Sequence, residues 1–327
     1  MDPSSFTHSQ PLPPAVTGGK HSLSEKAKAE IQALSGPRPV QFLLQAFLAW
    51  AVIAGAIYAA EQIGTFWATA IAVLLVASRQ NILALLIHEQ AHFLGFRGRW
   101  ADVAANLITA YPLLVITIEG YAKVHLCHHR YYFTEKDPDL SRKSGPDWTF
   151  PMSGWHLARL FFSDFTGISI LQLIRGKRSD VAVFRRPHPS PKWLRPVFIL
   201  VLAILITQFG AWKLFAIYWL IPLLFIFPAI VRLGAIAEHV YIPGGDVATT
   251  SPLIIQRWYE RLLLPNLNFA MHPYHHWHPG VAWCHLPDVH RIYQREGLVH
   301  EANLFHGYAH YLRYLQSTIP PQTCPDR

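Results

Sequence analysis

Eight histidines fall in three tight clusters: His88-Glu-Gln-Ala-His92, His125-Leu-Cys-His128-His129 and His272-Pro-Tyr-His275-His276. On a helix, residues at i, i+3 and i+4 share a face, so both imidazoles of an HxxxH pair can reach one metal ion. In HxxHH the adjacent pair diverges by about 100°, which lets one cluster serve two metals. The chain has 19 histidines in 327 residues, and at that frequency chance yields roughly 0.07 HxxHH matches. Two are present. A lone histidine would read as a satisfied structural residue; eight in three spaced clusters read as a metal site.

The elements that carry these clusters are apolar. The chain is 51% hydrophobic and only 15% charged, whereas an ordinary soluble domain carries about 25% charge. The net charge of +8 does not point to nucleic acid, because the basic residues are interleaved with aromatic and apolar segments; a positive membrane face accounts for it. Cys127, Cys284 and Cys324 are scattered and odd in number, which excludes a disulfide framework and suits a reducing, cytoplasmic cap. Residues 1–36 are polar and rich in Ser, Pro and His, without a secretory signal, and read as a disordered cytoplasmic arm.

Val40 to Ala60 is uncharged and long enough to span a bilayer, and Thr65 to Ile87 returns, placing His88 and His92 at its cytoplasmic mouth. Arg79 in the second run implies that this stretch has reached the headgroups or faces a polar interior. Ala101 to Val124 is apolar but broken by Asn106, Pro112 and Glu119. A single crossing there would separate the first two clusters, so it reads as interfacial or re-entrant. Residues 130–193 form a basic insert with Arg175, Lys177, Arg178, Arg185, Arg186 and Lys192, and its Trp155, Phe161, Phe162 and Phe165 suit an interfacial helix. Trp193 to Ala237 is twice a spanning length and reads as a hairpin turning near Gly210. Residues 88–193 hold 14 Lys and Arg, against Lys213 alone in the proposed outer turns, which orients the clusters to the cytoplasm. The fold expected is thus an all-α integral membrane protein with four transmembrane helices, interfacial helices and a cytoplasmic cap holding a His-rich di-metal site. Its membrane domain runs over residues 37–295, with a cytoplasmic tail over 296–327.

HxxxH, HxxHH and HxxHH, in that order beside long apolar runs, resemble the membrane-bound fatty acid desaturase and hydroxylase superfamily. The resemblance extends over roughly residues 40–295 and takes in Asp137-Pro-Asp139 after the second cluster and His278-Pro-Gly280 to Leu286-Pro287 and His290 after the third. It implies two non-haem irons held by nine histidines: His88, His92, His125, His128, His129, His272, His275 and His276, with His239 as the ninth. Nine ligands exceed the four of a single zinc, although imidazole alone does not choose among metals. The resemblance further implies reductive activation of O2 and removal of hydrogen from an unactivated C–H bond. Loss of a second hydrogen gives a double bond; oxygen rebound gives an alcohol.

Some acyl desaturases place an Asn one turn before the residue equivalent to His239; here that position is Ala235, and Asn268 is not a positional match. Glu89, Glu238 and Asp139 are candidates to accept a ligand N–H, and His278, His285 and His290 read as structural or outer residues. No dinucleotide fingerprint, P-loop or fused electron-carrier domain is evident, so electrons are expected from a separate ferredoxin or haem cytochrome. The expected activity is desaturation of a lipid acyl chain, with hydroxylation or ketolation of a fatty chain, sphingoid base or carotenoid as the alternative. A one-zinc hydrolase fits nine ligands poorly, and a metal transporter would string its ligands through the bilayer midplane. The substrate path is expected along Leu83, Leu86, Ile87, Leu233 and Ile236.

Overall fold

Long stretches of Leu, Ile, Val and Ala without charge have no favourable state except buried or lipid-facing helix, and the computed structural model, which describes residues 9–170, 186–264 and 266–317, shows them so. The helices used below are α1 (Glu25–Leu34), α2 (Pro39–Ile63), α3 (Phe66–Ala91), α4 (Ala101–Ala110), α5 (Ile118–Arg130), α6 (Pro138–Arg142) and α7 (Gly154–Phe165). They continue with α8 (Leu194–Gln208), α9 (Trp212–Glu238), α10 (Trp258–Leu263), α11 (His272–Trp277), α12 (Leu286–Arg295) and α13 (Tyr308–Gln316). A two-stranded parallel sheet pairs Ile254–Ile255 with Phe305–His306.

Helices α2, α3 and α9 are long and apolar enough to cross a membrane. The chain reverses between α2 and α3 at Gly64, which takes a left-handed φ of 66° at the end of α2, and Thr65 caps α3 by accepting from the Ala68 backbone N–H. The hairpin turn expected near Gly210 is present, with φ 59°. Helix α8 has only 15 residues, about 22 Å of rise, less than the hydrocarbon thickness. Val40, Phe47, Leu48, Ile71, Leu74, Leu200 and Leu205 are exposed, the surface a bilayer covers.

Polar side chains lock the bundle. Trp50 stacks on Trp219 at 5.4 Å and donates to the Ile108 carbonyl. Gln80 donates to the Trp219 carbonyl, and the Trp219 indole to that of Pro112. Helix α9 widens to i→i+5 bonding over Ala216–Leu220 and Pro222–Ile226; Pro222 lacks the N–H that a regular turn needs.

Helix α4 is ten residues long and ends before Pro112, far short of a crossing, so α5 lies at the same end of the bundle as the end of α3. Helix α7 buries Leu157, Leu160 and Asp164 while Trp155, Phe162 and Phe165 stay exposed, as an interfacial helix does. Arg175, Lys177, Arg178 and Arg185 lie outside the described residues.

The expectation of a disordered arm is overturned for residues 9–36. Leu12, Val16, Leu23, Ala27 and Ile31 of this segment are buried, the last four in one cluster with Val289, Ile292 and Tyr293 of α12. Backbone bonds from Thr17 to Leu298, His300 to Ala15 and Gly36 to Gly280 fasten the segment across the cap. Polar composition hid this because a strap needs only one apolar face. The C-terminal residues pack too: the Tyr311 hydroxyl donates to the Ile236 carbonyl at 3.1 Å.

Candidate metal centre

Each histidine cluster sits where a helix begins or ends. His88 lies in the last turn of α3 and His92 caps it. Immediately beyond, Phe93 holds a left-handed φ of 57°, a strained conformation for an aromatic residue. Arg186 secures it. Its guanidinium stacks 3.6 Å over the Phe93 ring, donates to the Ala91 and Gln90 carbonyls at 2.7 and 3.0 Å, and pairs with both Asp102 oxygens at 2.7 and 2.5 Å. Gly95 passes so close that a Cβ would meet Phe42 at 2.6 Å. The second cluster rides on α5, capped by Thr117, and the third on α11. His239 follows α9 in extended conformation.

The ring nitrogens of these elements converge in two sets. His88, His92, His125, His129 and His275 form one, all ligand atoms within 4.8 Å of one another. Neighbouring Nε2 atoms are 2.9 Å apart for His88 and His275, 2.9 Å for His92 and His125, 3.1 Å for His125 and His129, and 3.0 Å for His129 and His275. His128, His239 and His276 form the second set. His272 joins it, its Nε2 3.0 Å from His239 and 3.1 Å from His276. Within α5, His125 and His129 share the first set while His128 belongs to the second; within α11, His272 and His276 share the second while His275 belongs to the first. The helical divergence of adjacent residues makes this division.

The donor set fits two metal ions. Burial pushes His92, His125, His129, His239, His272, His275 and His276 well below the usual histidine range, and neighbouring histidines push them further. They are therefore neutral, the form that ligates. His128 presents Nδ1 to the Asp137 carboxylate at 2.8 Å, and His239 presents Nδ1 to Ser251 Oγ at 3.0 Å and to the Tyr132 hydroxyl at 3.3 Å. With those Nδ1 protons so placed, both Nε2 lone pairs face into the second set, free to ligate a cation. For metal–nitrogen bonds of about 2.1 Å, ligands at right angles lie about 3.0 Å apart and tetrahedral ones about 3.4 Å. The 2.9–3.2 Å separations between neighbouring Nε2 atoms are those that ligands of one ion would have.

Among the described residues, the carboxylate in contact with a clustered histidine is Asp137, not the three singled out from sequence. Asp137 also accepts from the backbone N–H groups of Phe133 and Asp139. Asp139 pairs instead with Arg142 and Lys143, and Glu89 faces the Trp283 N–H at 3.4 Å. Glu238 lines a groove beside the centre. Asn268 is left-handed, φ 60°, and donates to the Trp283 carbonyl. His278 meets the Tyr293 hydroxyl, His290 that of Tyr274, and His285 Asp288 and Arg38, so all three are structural. Tyr132, Ser251 and the Asp102–Arg186 pair were not read from sequence; no local spacing marks them.

The expected substrate lining is corrected in part. Leu83, Leu86 and Ile87 are fully buried in the helix core, and Ile236 is buried in a second cluster. Leu233 does line a narrow groove of about 30 Å³ between α3 and α9, which Leu85 and Ala237 share.

No curated protein matches the chain. The profile of the family described as fatty acid desaturase matches residues 64–308, most of the sequence and every clustered histidine. With that match and the convergence of the three histidine clusters, the chain belongs to the fatty acid desaturase family.

Proposed function

We propose that the protein is an O2-dependent membrane desaturase that introduces a double bond into a lipid acyl chain. The observation that carries the reading is the gathering of nine imidazoles into adjacent sets of five and four, with α5 and α11 each feeding both. Two irons held there would supply the O2-derived oxidising power that an unactivated C–H bond requires. Asp137 keeps the proton on His128 Nδ1, and Ser251 and Tyr132 receive that of His239, so the ligating nitrogens stay oriented. Phe269 stacks on His88 at 4.3 Å and Tyr121 on His125 at 5.2 Å; these rings keep water from the centre.

A CH2–CH2 pair and O2, with two electrons and two protons, give a double bond and two waters. The balance calls for a separate electron donor such as a ferredoxin or haem cytochrome, which would dock on the cytoplasmic face. The excess of Lys and Arg over residues 88–193 supports that orientation. Lipid and carotenoid profiling of a host expressing the chain, beside a His275→Ala control, tests the reading. Products two mass units lighter, present only with the wild-type chain, support it; products one oxygen heavier identify a hydroxylase instead.

A further inference from the structure

Two grooves meet on the cap at Arg97, which is exposed and lines both. The first, of about 530 Å³, runs between Lys20, His21 and Lys28 of the N-terminal strap and Trp277 and His278 beyond the third histidine cluster. The second, of about 390 Å³, runs between Phe93 and His188 and has His92 in its wall.

Each groove leads to a different metal position. His92 belongs to the five-histidine set and is only partly covered. Trp277 follows His276 directly in the chain, and His276 belongs to the other set. The strap helps to fix Trp277. Gly19, at φ 57°, passes so close that a Cβ would lie 3.1 Å from the indole, and Tyr293 stacks on the indole at 5.9 Å. A molecule seated over Arg97 thus covers an approach to both sets.

The charge of the walls selects what sits there. They carry Lys20, Lys28 and Arg97 against one carboxylate, Asp102, which Arg186 already holds at 2.7 and 2.5 Å. Lys28 meets Glu25 at 2.8 Å, an exposed pair that stabilises little. Cations of one sign around a concave surface steer an acidic partner and raise its rate of association. A leaflet would meet exposed apolar side chains, such as Trp155 and Phe162 on α7. The large apolar residues of these walls, Ile31, Phe93 and Trp277, are buried or half-buried instead.

We propose that the grooves about Arg97 dock an acidic one-electron carrier, an iron–sulfur or haem protein, and that the strap supplies one wall of the docking face. The proposal rests on the reading of the protein as an O2-dependent desaturase, whose balance takes two electrons per double bond. Each carrier gives up one electron and leaves oxidised, so two dock in turn. Redox encounters of this kind bury under about 1,200 Å² in total, an area that two neighbouring grooves can provide. The strap lies outside residues 64–308 that match the family profile, which puts part of the choice of carrier in a segment of the chain's own.

The test uses the full, metal-loaded chain in phosphatidylcholine nanodiscs, with an acidic ferredoxin and an acidic haem cytochrome as probes. Binding is read by anisotropy of the labelled carrier. Electron transfer is read by anaerobic oxidation of the reduced carrier, with dithionite as a small reductant that needs no docking. At least one carrier should bind the wild type and be oxidised by it. The charge reversal Lys20→Glu with Arg97→Glu should weaken that binding at least about tenfold at low salt and remove most of its salt dependence. The charge-preserving pair Lys20→Arg with Arg97→Lys should retain binding, as should Lys213→Glu in the outer turn. Metal content and reduction by dithionite should stay the same in every variant. Binding that ignores the double reversal overturns the proposal, as does binding of neither carrier to the wild type. Labelling of Lys20 and Trp277 by a photoactivatable phosphatidylserine would give the face to the leaflet and overturn it too. If binding follows Lys20 and Arg97 but no carrier is oxidised, the enzymatic reading fails and the docking face stands.

Discussion

His129 and His275 bring their Nε2 atoms to 3.0 Å although 146 residues separate them in the chain. That contact joins α5 to α11 and completes the five-histidine set. His129→Ala should therefore empty one metal position and leave the other, lowering metal from two ions per chain towards one, with activity lost and the membrane helices intact. Elemental analysis of the purified variant, beside circular dichroism, checks this; full occupancy would show that His129 is not a ligand.

Asp137 acts one bond further out. Asp137→Asn cannot hold the His128 Nδ1 proton as a carboxylate does. Loss of an outer partner of this kind typically costs about 10- to 100-fold in metal affinity. Chelator competition should find one of the two metals weakened by that margin and the other unaffected.

Arg186 and Asp102 are both buried and bidentate. Arg186→Leu leaves the Asp102 charge buried without its partner, and breaking such a pair costs about 3–5 kcal/mol. The double variant Arg186→Leu with Asp102→Asn should recover part of that loss. Thermal unfolding in detergent measures both; equal loss in the single and double variants would mean that Arg186 acts through the carbonyls of α3 alone.

These cases separate what was legible in the sequence from what was not. The histidine clusters were legible because HxxxH and HxxHH place donors on one helical turn, and the need for the first two clusters to meet argued against a crossing by α4. Asp137 could not be told from Asp139, because the choice depends on the turn at Phe133, φ 50°, which folds residues 133–137 back onto His128. Arg186 meets α3 from 95 residues away, and the strap over residues 9–36 buries only scattered apolar side chains. Both depend on tertiary contact that no local period records.

Burial holds His92, His125, His129, His239, His272, His275 and His276 below their usual range of about 6.5. In the metal-free protein the unfolded chain then binds more protons than the folded one once pH falls below about 6.5. Stability is complete above that pH and declines beneath it, by up to about 1.4 kcal/mol per pH unit for each such histidine. The unfolding temperature of the metal-free protein should hold steady from pH 8 to 7 and drop steeply from pH 6.5 to 5. A flat profile would mean that these imidazoles are hydrated and not enclosed.

The central claim is that nine histidines hold two irons in adjacent sets of five and four. Its most direct measurement is the metal content of the full-length protein, purified anaerobically after expression with iron and zinc both available. The account predicts two irons per chain in the wild type and fewer than two in both His129→Ala and His276→Ala, which draw on different sets. One zinc per chain, unchanged by either substitution, would contradict it.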